Sequence, residues 1–222
     1  MQLGRETTAS PGSRRAARLS KACGLTALTH EILDQAHPRR GEAEGLIEQA
    51  YQRAYDGVVS HHFPHLIGIR NADGALVAAA GFRWAHQEPL FLEQYLDAPI
   101  EVAASRPGLE IVQRDEIVEI GSLATDGGGA SAALFAALAA HLRTQGATFA
   151  AATATRRLRR LFGLVGFETH RIAAANPARL ADGGLAWGRY YEHDPVVVGG
   201  AVSVCSAHLM SRLGVAAMDQ AQ

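Results

Sequence analysis

The stretch EIVEIGSLATDGGGASAALFAALAAHL, Glu116 to Leu142, constrains this chain more than any other segment. A run of strand composition enters four small turn residues, Asp126-Gly127-Gly128-Gly129, and leaves as a helix predicted over 129–144. Gln145-Gly146 supplies a C-terminal glycine stop, and ATFAAATA follows as a short buried strand at about 147–154. Upstream, HLIGIRNADGALVAAAGFRWA holds two apolar runs joined by Asn71-Ala72-Asp73-Gly74. That turn chemistry predicts an antiparallel hairpin with strands at about 65–70 and 75–84. Strands joined through helices beside strands joined by a tight turn predict an α/β fold around one mixed sheet.

The other elements follow from spacing. Leu46, Ile47, Ala50, Tyr51, Ala54, Tyr55 and Val58 recur every three or four residues, which marks an amphipathic helix over 44–59. A short helix is expected to start near Pro89, and Ala103 to Asp115, with Pro107-Gly108, reads as a loop. TRRLRRLFGLV predicts a basic helix that stops at Gly166. Strand-like composition resumes in LAWGRYYEHDPVVVGGAVSV, before a short helical tail at about Ser206 to Leu213. Residues 1–24 read as a basic tail, leaving 25–222 as a single domain.

With a net charge of -1 and no run of 18 apolar residues, the composition gives no bias toward nucleic acid and no membrane span. Cys23 and Cys205 stand far apart without metal-ligand spacing, so no metal site or disulfide framework is expected and a reducing cytoplasm is the simplest home. Glu6 and the lack of an amphipathic pattern argue against a transit peptide.

A strand that ends in Thr125-Asp126 and a glycine run, followed by a helix from about Ala130, aims backbone N–H groups and the positive end of a helix dipole at one spot. Two readings stand: a cradle for a phosphate, which needs glycine for close approach, or a flexible joint. No Walker A and no dinucleotide fingerprint is present.

The strand, glycine turn, helix, strand, helix and GLVGF together resemble the core of the GNAT acyltransferases. VEIGSLAT, FLEQYLDAPIE, ATATRRLRRLF and WGRYYEHDPVVVGG, four blocks in order within about residues 45–200, look like the thermostable haemolysin family, a branch close to acyl-homoserine-lactone synthases. The resemblance implies a GNAT-like fold and an N-acyltransferase that moves an acyl group from acyl-CoA or acyl carrier protein to a small amine. No permanently bound cofactor is implied. On the same ground the acyl donor would lie along Ser122, Leu123, Ala124 and Thr125, with its pyrophosphate at Gly127, Gly128, Gly129 and Ala130. Three positions depart from the relatives. Thr125-Asp126 stand where GNAT turns carry Arg or Gln, Phe162 stands where many acetyltransferases carry an acidic Tyr, and Ser122 replaces an Arg or Asn.

Glu119 is charged in the middle of an apolar strand, a position that costs free energy unless it is paired or functional. It matches the family's Glu, which leaves a general base, an anchor for the acceptor amine, or a structural ion pair. Arg83, with Trp84 beside it, resembles an Arg of the lactone synthases. It would grip an acceptor carboxylate or pair with Glu119, or else be an exposed strand-end residue. Arg156 and Arg157, with Arg159 and Arg160, suit CoA phosphates or an acidic carrier protein as well as they suit plain solvation. Tyr190, Tyr191 and His193, near Trp187, either fill a core or supply the acid that Phe162 cannot. His61-His62 read as surface residues. Besides the enzyme, two further readings remain open: a catalytically degenerate acyl-binding module and a membrane-lytic protein.

Overall fold

Asn71 closes the hairpin as its chemistry predicts. Its Oδ1 accepts the amides of Asp73 (3.1 Å) and Ala75 (2.9 Å), and Gly74 takes the left-handed φ of +80° that the turn needs. The computed structural model describes residues 28–105, 111–126 and 130–202. The glycine run at 127–129, both cysteines, the basic tail and the segment expected to be helical at 206–213 lie outside them.

Seven strands form one sheet in the order β1-β2-β3-β4-β5-β7-β6. They are β1 (Thr29–Leu33), β2 (His65–Arg70), β3 (Leu76–Trp84), β4 (Ile117–Thr125), β5 (Phe149–Ala154), β6 (His170–Ala174) and β7 (Val196–Ala201). The β4–β5 pair is parallel and the others are antiparallel. This is the expected mixed sheet, with β1 as an added edge strand.

The helices are α1 (Arg40–Tyr55), α2 (Ile100–Ala104), α3 (Ala130–Thr144) and α4 (Arg156–Leu164). The first helix starts earlier than its apolar spacing suggested and ends at Tyr55, because Asp56 turns left-handed (φ 56°). Its buried Arg40 donates to the carbonyls of Leu33 (3.1 Å), Phe63 (2.7 Å) and Pro64 (3.0 Å), tying α1 to the sheet. Near Pro89 the chain forms a 3-10 turn, Phe91–Tyr95, and then α2. Thr155 caps α4 by accepting the Leu158 amide at 3.3 Å. The segment Leu185–His193 is a pair of 3-10 turns rather than strand. Gly184 (φ 83°) and Gly188 (φ 54°) break extension there, and only β7 beyond it is strand.

The sheet buries both faces. Val118, Ile120, Ala150 and Ala152 meet α3 and α4 through Leu134, Phe135, Leu138 and Phe162. Ala79 and Ala124 meet α1 through Ala43 and Ile47, and Ile117 and Ala151 meet the turn and α2 through Leu92, Tyr95 and Ile100. Phe162, at the position of the missing acidic Tyr, is 1% exposed and packs edge-on against Phe135 (5.5 Å) and Phe167 (5.2 Å). It is a core residue.

Candidate active site

β4 and β5 stay paired only over Ile117–Phe149, Val118–Ala150 and Glu119–Ala151. Beyond Glu119 the two strands part, which opens a gap in the middle of the sheet. At the same place β4 carries a bulge, since Ala79 pairs with Ala124 and Gly81 with Gly121, so two residues of β4, Ser122 and Leu123, oppose Ala80 alone. Ser122 takes a left-handed φ of 51°, a conformation that costs a non-glycine residue on the order of 1–3 kcal/mol. The bulge shifts the alternation, so Leu123 packs toward α3 and α4 and Ala124 toward α1. It also leaves main-chain groups of this step outside the ladder, beside the gap.

The gap opens into a cavity of about 580 Å³. β4 contributes Gly121, Ser122, Leu123, Ala124 and Thr125, followed by Asp126. Arg157, Leu158 and Leu161 of α4 wall one side, and Tyr51 and Tyr55 of α1 wall the other with Tyr190. Tyr190 is buried and donates its hydroxyl to the Thr153 carbonyl at 3.0 Å. Burial, reinforced by Tyr51, pushes its phenol well above the ordinary range, so it holds its proton at any working pH.

Of the expected donor residues, Ser122, Leu123, Ala124, Thr125 and Arg157 come together on this wall. Ala130 is buried at the start of α3. Arg156 is exposed and 3.7 Å from Asp194, which Arg159 holds at 2.9 Å. Gly127, Gly128 and Gly129 lie outside the described residues.

The residues expected to act as acids and bases are separated. Tyr190 lines the cavity, whereas the Tyr191 hydroxyl shares a hydrogen bond with Tyr95 (2.6 Å) and His193 is exposed against Tyr55. Glu119 is 2% exposed. One of its oxygens accepts the Phe91 amide at 2.8 Å and the other the Leu92 amide at 3.0 Å. Burial pushes its carboxyl up to about 7, against the downward pull of Arg83 and the two amides. Arg83 stands 3.4 Å from Glu119 and 4.3 Å from the centre of the Phe63 ring. Trp84 points to the opposite face, into the core under α3, because successive residues of a strand alternate.

Sequence reasoning missed the contribution of α1. Tyr51 and Tyr55, read as apolar positions of a core-facing helix, are four residues apart and present neighbouring rings to the cavity (5.5 Å between centroids). Two tyrosines on one helix face, where leucine would serve a core equally well, were the available signal.

The family model for thermostable hemolysin matches residues 33–205. No curated protein matches the chain. Among solved structures, the AHL synthase LasI superposes with a TM-score of 0.59 at 14% identity, covering 84% of this chain and 96% of that one. BjaI, a CoA-dependent acyl-homoserine lactone synthase solved with SAM and isopentyl-CoA, gives 0.59 at 13%, covering 86% and 92%. FeeM, an N-acyl amino acid synthase from uncultured soil microbes, gives 0.56 at 13%, covering 85% and 98%. At such identities the likeness establishes the fold, that of the GNAT-like N-acyltransferases.

Proposed function

The chain belongs to the thermostable hemolysin family and folds as a GNAT-like acyltransferase; on that premise we propose that it transfers an acyl group from an acyl thioester, on CoA or acyl carrier protein, to a small amine. The observation that carries this reading is the gap between β4 and β5, with a bulged strand on one side and a tyrosine hydroxyl on the other. An extended thioester laid in the gap meets main-chain groups that the sheet itself does not use. Arg157 and the start of α3 suit the donor's phosphates, and the α1 side admits the amine.

The amine nitrogen attacks the thioester carbon, and the amides of the Ser122–Leu123 step hold the oxyanion that forms. The surplus amine proton leaves to solvent through the open cavity. As the C–S bond breaks, the Tyr190 hydroxyl protonates the departing sulfur and is itself reprotonated from solvent, so an amide and a free thiol are the products. Burial keeps the phenol protonated until the C–S bond breaks; because burial also weakens it as an acid, only the basic thiolate formed in the same gap draws the proton from it.

The test is product analysis by mass spectrometry after incubation with acyl-CoAs of several lengths, or acyl carrier protein loaded with them, and a panel of small amines. Tyr190→Phe should retain the fold and lose on the order of 10²-fold in kcat. Amide formation by Tyr190→Phe at the wild-type rate removes the acid from Tyr190. Stabilisation by acyl-CoA with no amide product from any pair marks a binding module instead, a reading that Asp126 at the cavity wall favours because a carboxylate there repels phosphates.

A further inference from the structure

Glu119 is a buried carboxyl group that this reaction does not use. It does not line the cavity, and both of its oxygens are already accepting main-chain amides. Those amides open the 3-10 turn Phe91–Tyr95, where N–H groups lack partners inside the turn and a carboxylate is favoured.

The same turn carries the aromatic side chains that back Tyr190. The Phe91 ring lies 5.4 Å from the Trp187 ring, and the Tyr95 hydroxyl bonds the Tyr191 hydroxyl at 2.6 Å. Trp187 and Tyr191 in turn pack on Tyr190 at 5.5 Å and 5.4 Å, from either side in sequence. The backbone between them bends sharply where it passes the end of α1. Gly188 sits at φ 54° and ψ -125°, and a side chain there would meet the Tyr55 carbonyl at 2.3 Å.

We propose that Glu119 is a positioning residue: its side-chain carboxyl group fixes the Phe91–Tyr95 turn to β4, and through Phe91, Tyr95, Trp187 and Tyr191 it fixes the Tyr190 hydroxyl on the cavity wall. Two separate contacts, one aromatic and one hydrogen-bonded, run from the turn to Trp187 and Tyr191, two of the rings packed on Tyr190, while Tyr51 and Tyr55 of α1 hold its other side, so displacement of the turn reaches Tyr190 through both. Arg83 serves the carboxyl group from the β3 side at 3.4 Å, with its guanidinium carbon over the Phe63 ring at 4.3 Å. Glutamine is the telling replacement. It keeps shape and volume, but its NH₂ faces an amide N–H and cannot accept from it.

The proposal rests on the acyl-transfer reading for its kinetic readout alone; two structural readouts decide it without turnover. The chain has two tryptophans, so a Trp84→Phe background leaves Trp187 as the sole indole. In that background Glu119→Gln should raise acrylamide quenching of Trp187 about twofold. Amide exchange over 91–95 and 185–193 should quicken about tenfold, while β2 and β3 stay protected. With a working thioester and amine, kcat should fall about tenfold or more with KM for the amine little changed. Adding Glu119→Gln to Tyr190→Phe should cost less than twofold further, because both act on one group.

Lost turnover in Glu119→Gln with wild-type exchange and quenching would overturn the proposal, since Glu119 would then act on the reactants directly. Unchanged exchange, quenching and turnover would overturn it equally. Should Glu119→Gln fail to fold, Tyr95→Phe cuts the hydroxyl contact alone and must by itself quicken exchange at 185–193; no change there refutes the coupling.

Discussion

Glu93, inside the Phe91–Tyr95 turn, and Glu119, on β4, both hold that turn, and they behave in opposite ways. Each accepts two main-chain amides, Leu90 and Ile100 for Glu93 and Phe91 and Leu92 for Glu119. Glu93 also receives a two-pronged Arg114, at 2.7 Å and 3.0 Å, and that contact holds its carboxyl down at about 2 against partial burial. Glu119 is sealed off from water and has its arginine at 3.4 Å, so burial wins and the carboxyl rises to about 7. Equal numbers of amide donors therefore do not make equal sites. What separates the two is how closely the cation approaches and how much water remains.

The comparison breaks most visibly at Arg114. Arg114→Ala strands the Glu93 carboxylate and removes a donor to Glu101 and to the Ala85 carbonyl, so urea unfolding should show a loss of about 2–3 kcal/mol. A fully buried pair would lose more, but Arg114 keeps 32% of its side chain in water. A loss below that of Arg83→Ala would contradict the ranking of the two sites.

The pH dependence sharpens it next. Glu119 is raised in the fold, so its contribution is present below the ordinary carboxyl value of 4.5 and is lost as pH rises through about 7. Glu93 is lowered, so its contribution is present above 4.5 and is lost as pH falls toward about 2. Melts of wild type against Glu119→Gln should therefore diverge between pH 4.5 and 7, with wild type losing ground as pH rises. Against Glu93→Gln they should diverge below 4.5, with wild type losing ground as pH falls. Parallel profiles would refute the assignment.

The smallest effect belongs to Arg83→Met. At 3.4 Å, with no hydrogen bond from its Nε, Arg83 attracts Glu119 only weakly, and a Glu119 left without it takes up a proton instead of standing as a bare buried charge, so the loss should stay below that of Arg114→Ala. Its loss should move the Glu119 titration upward, as read by carboxyl ¹³C shifts, and a downward move would reverse the sign given to Arg83.

How much of this was legible in the sequence depended on whether the cause was local. The hairpin turn is encoded in Asn71 and Gly74 and formed as read. β4, α3, β5 and α4 showed their periods and formed near their expected bounds. Glu119 stood out as a misplaced charge, yet its partners are main-chain N–H groups 28 and 27 residues away, which leave no side-chain signature. Leu185–His193 looked like strand because its aromatics do, while the positive φ of Gly184 and Gly188 and the packing of Trp187 against Gly57 fold it into turns. β1 escaped notice because an edge strand such as Thr29–Leu33, with His30 exposed, lacks the apolar run of a central strand.

The parting of β4 and β5 has a consequence for the chain's behaviour in a crowded solution. A sheet split between two central strands has four margins instead of two, and unpaired margins are where foreign strands attach and aggregates begin. Here the two extra margins face inward, walled by α1 on one side and α4 on the other, with Tyr190 across the opening. Those walls stand between the inner margins and a foreign strand approaching edge-on. The fold thus keeps unsatisfied main-chain groups in its interior without exposing them to its neighbours.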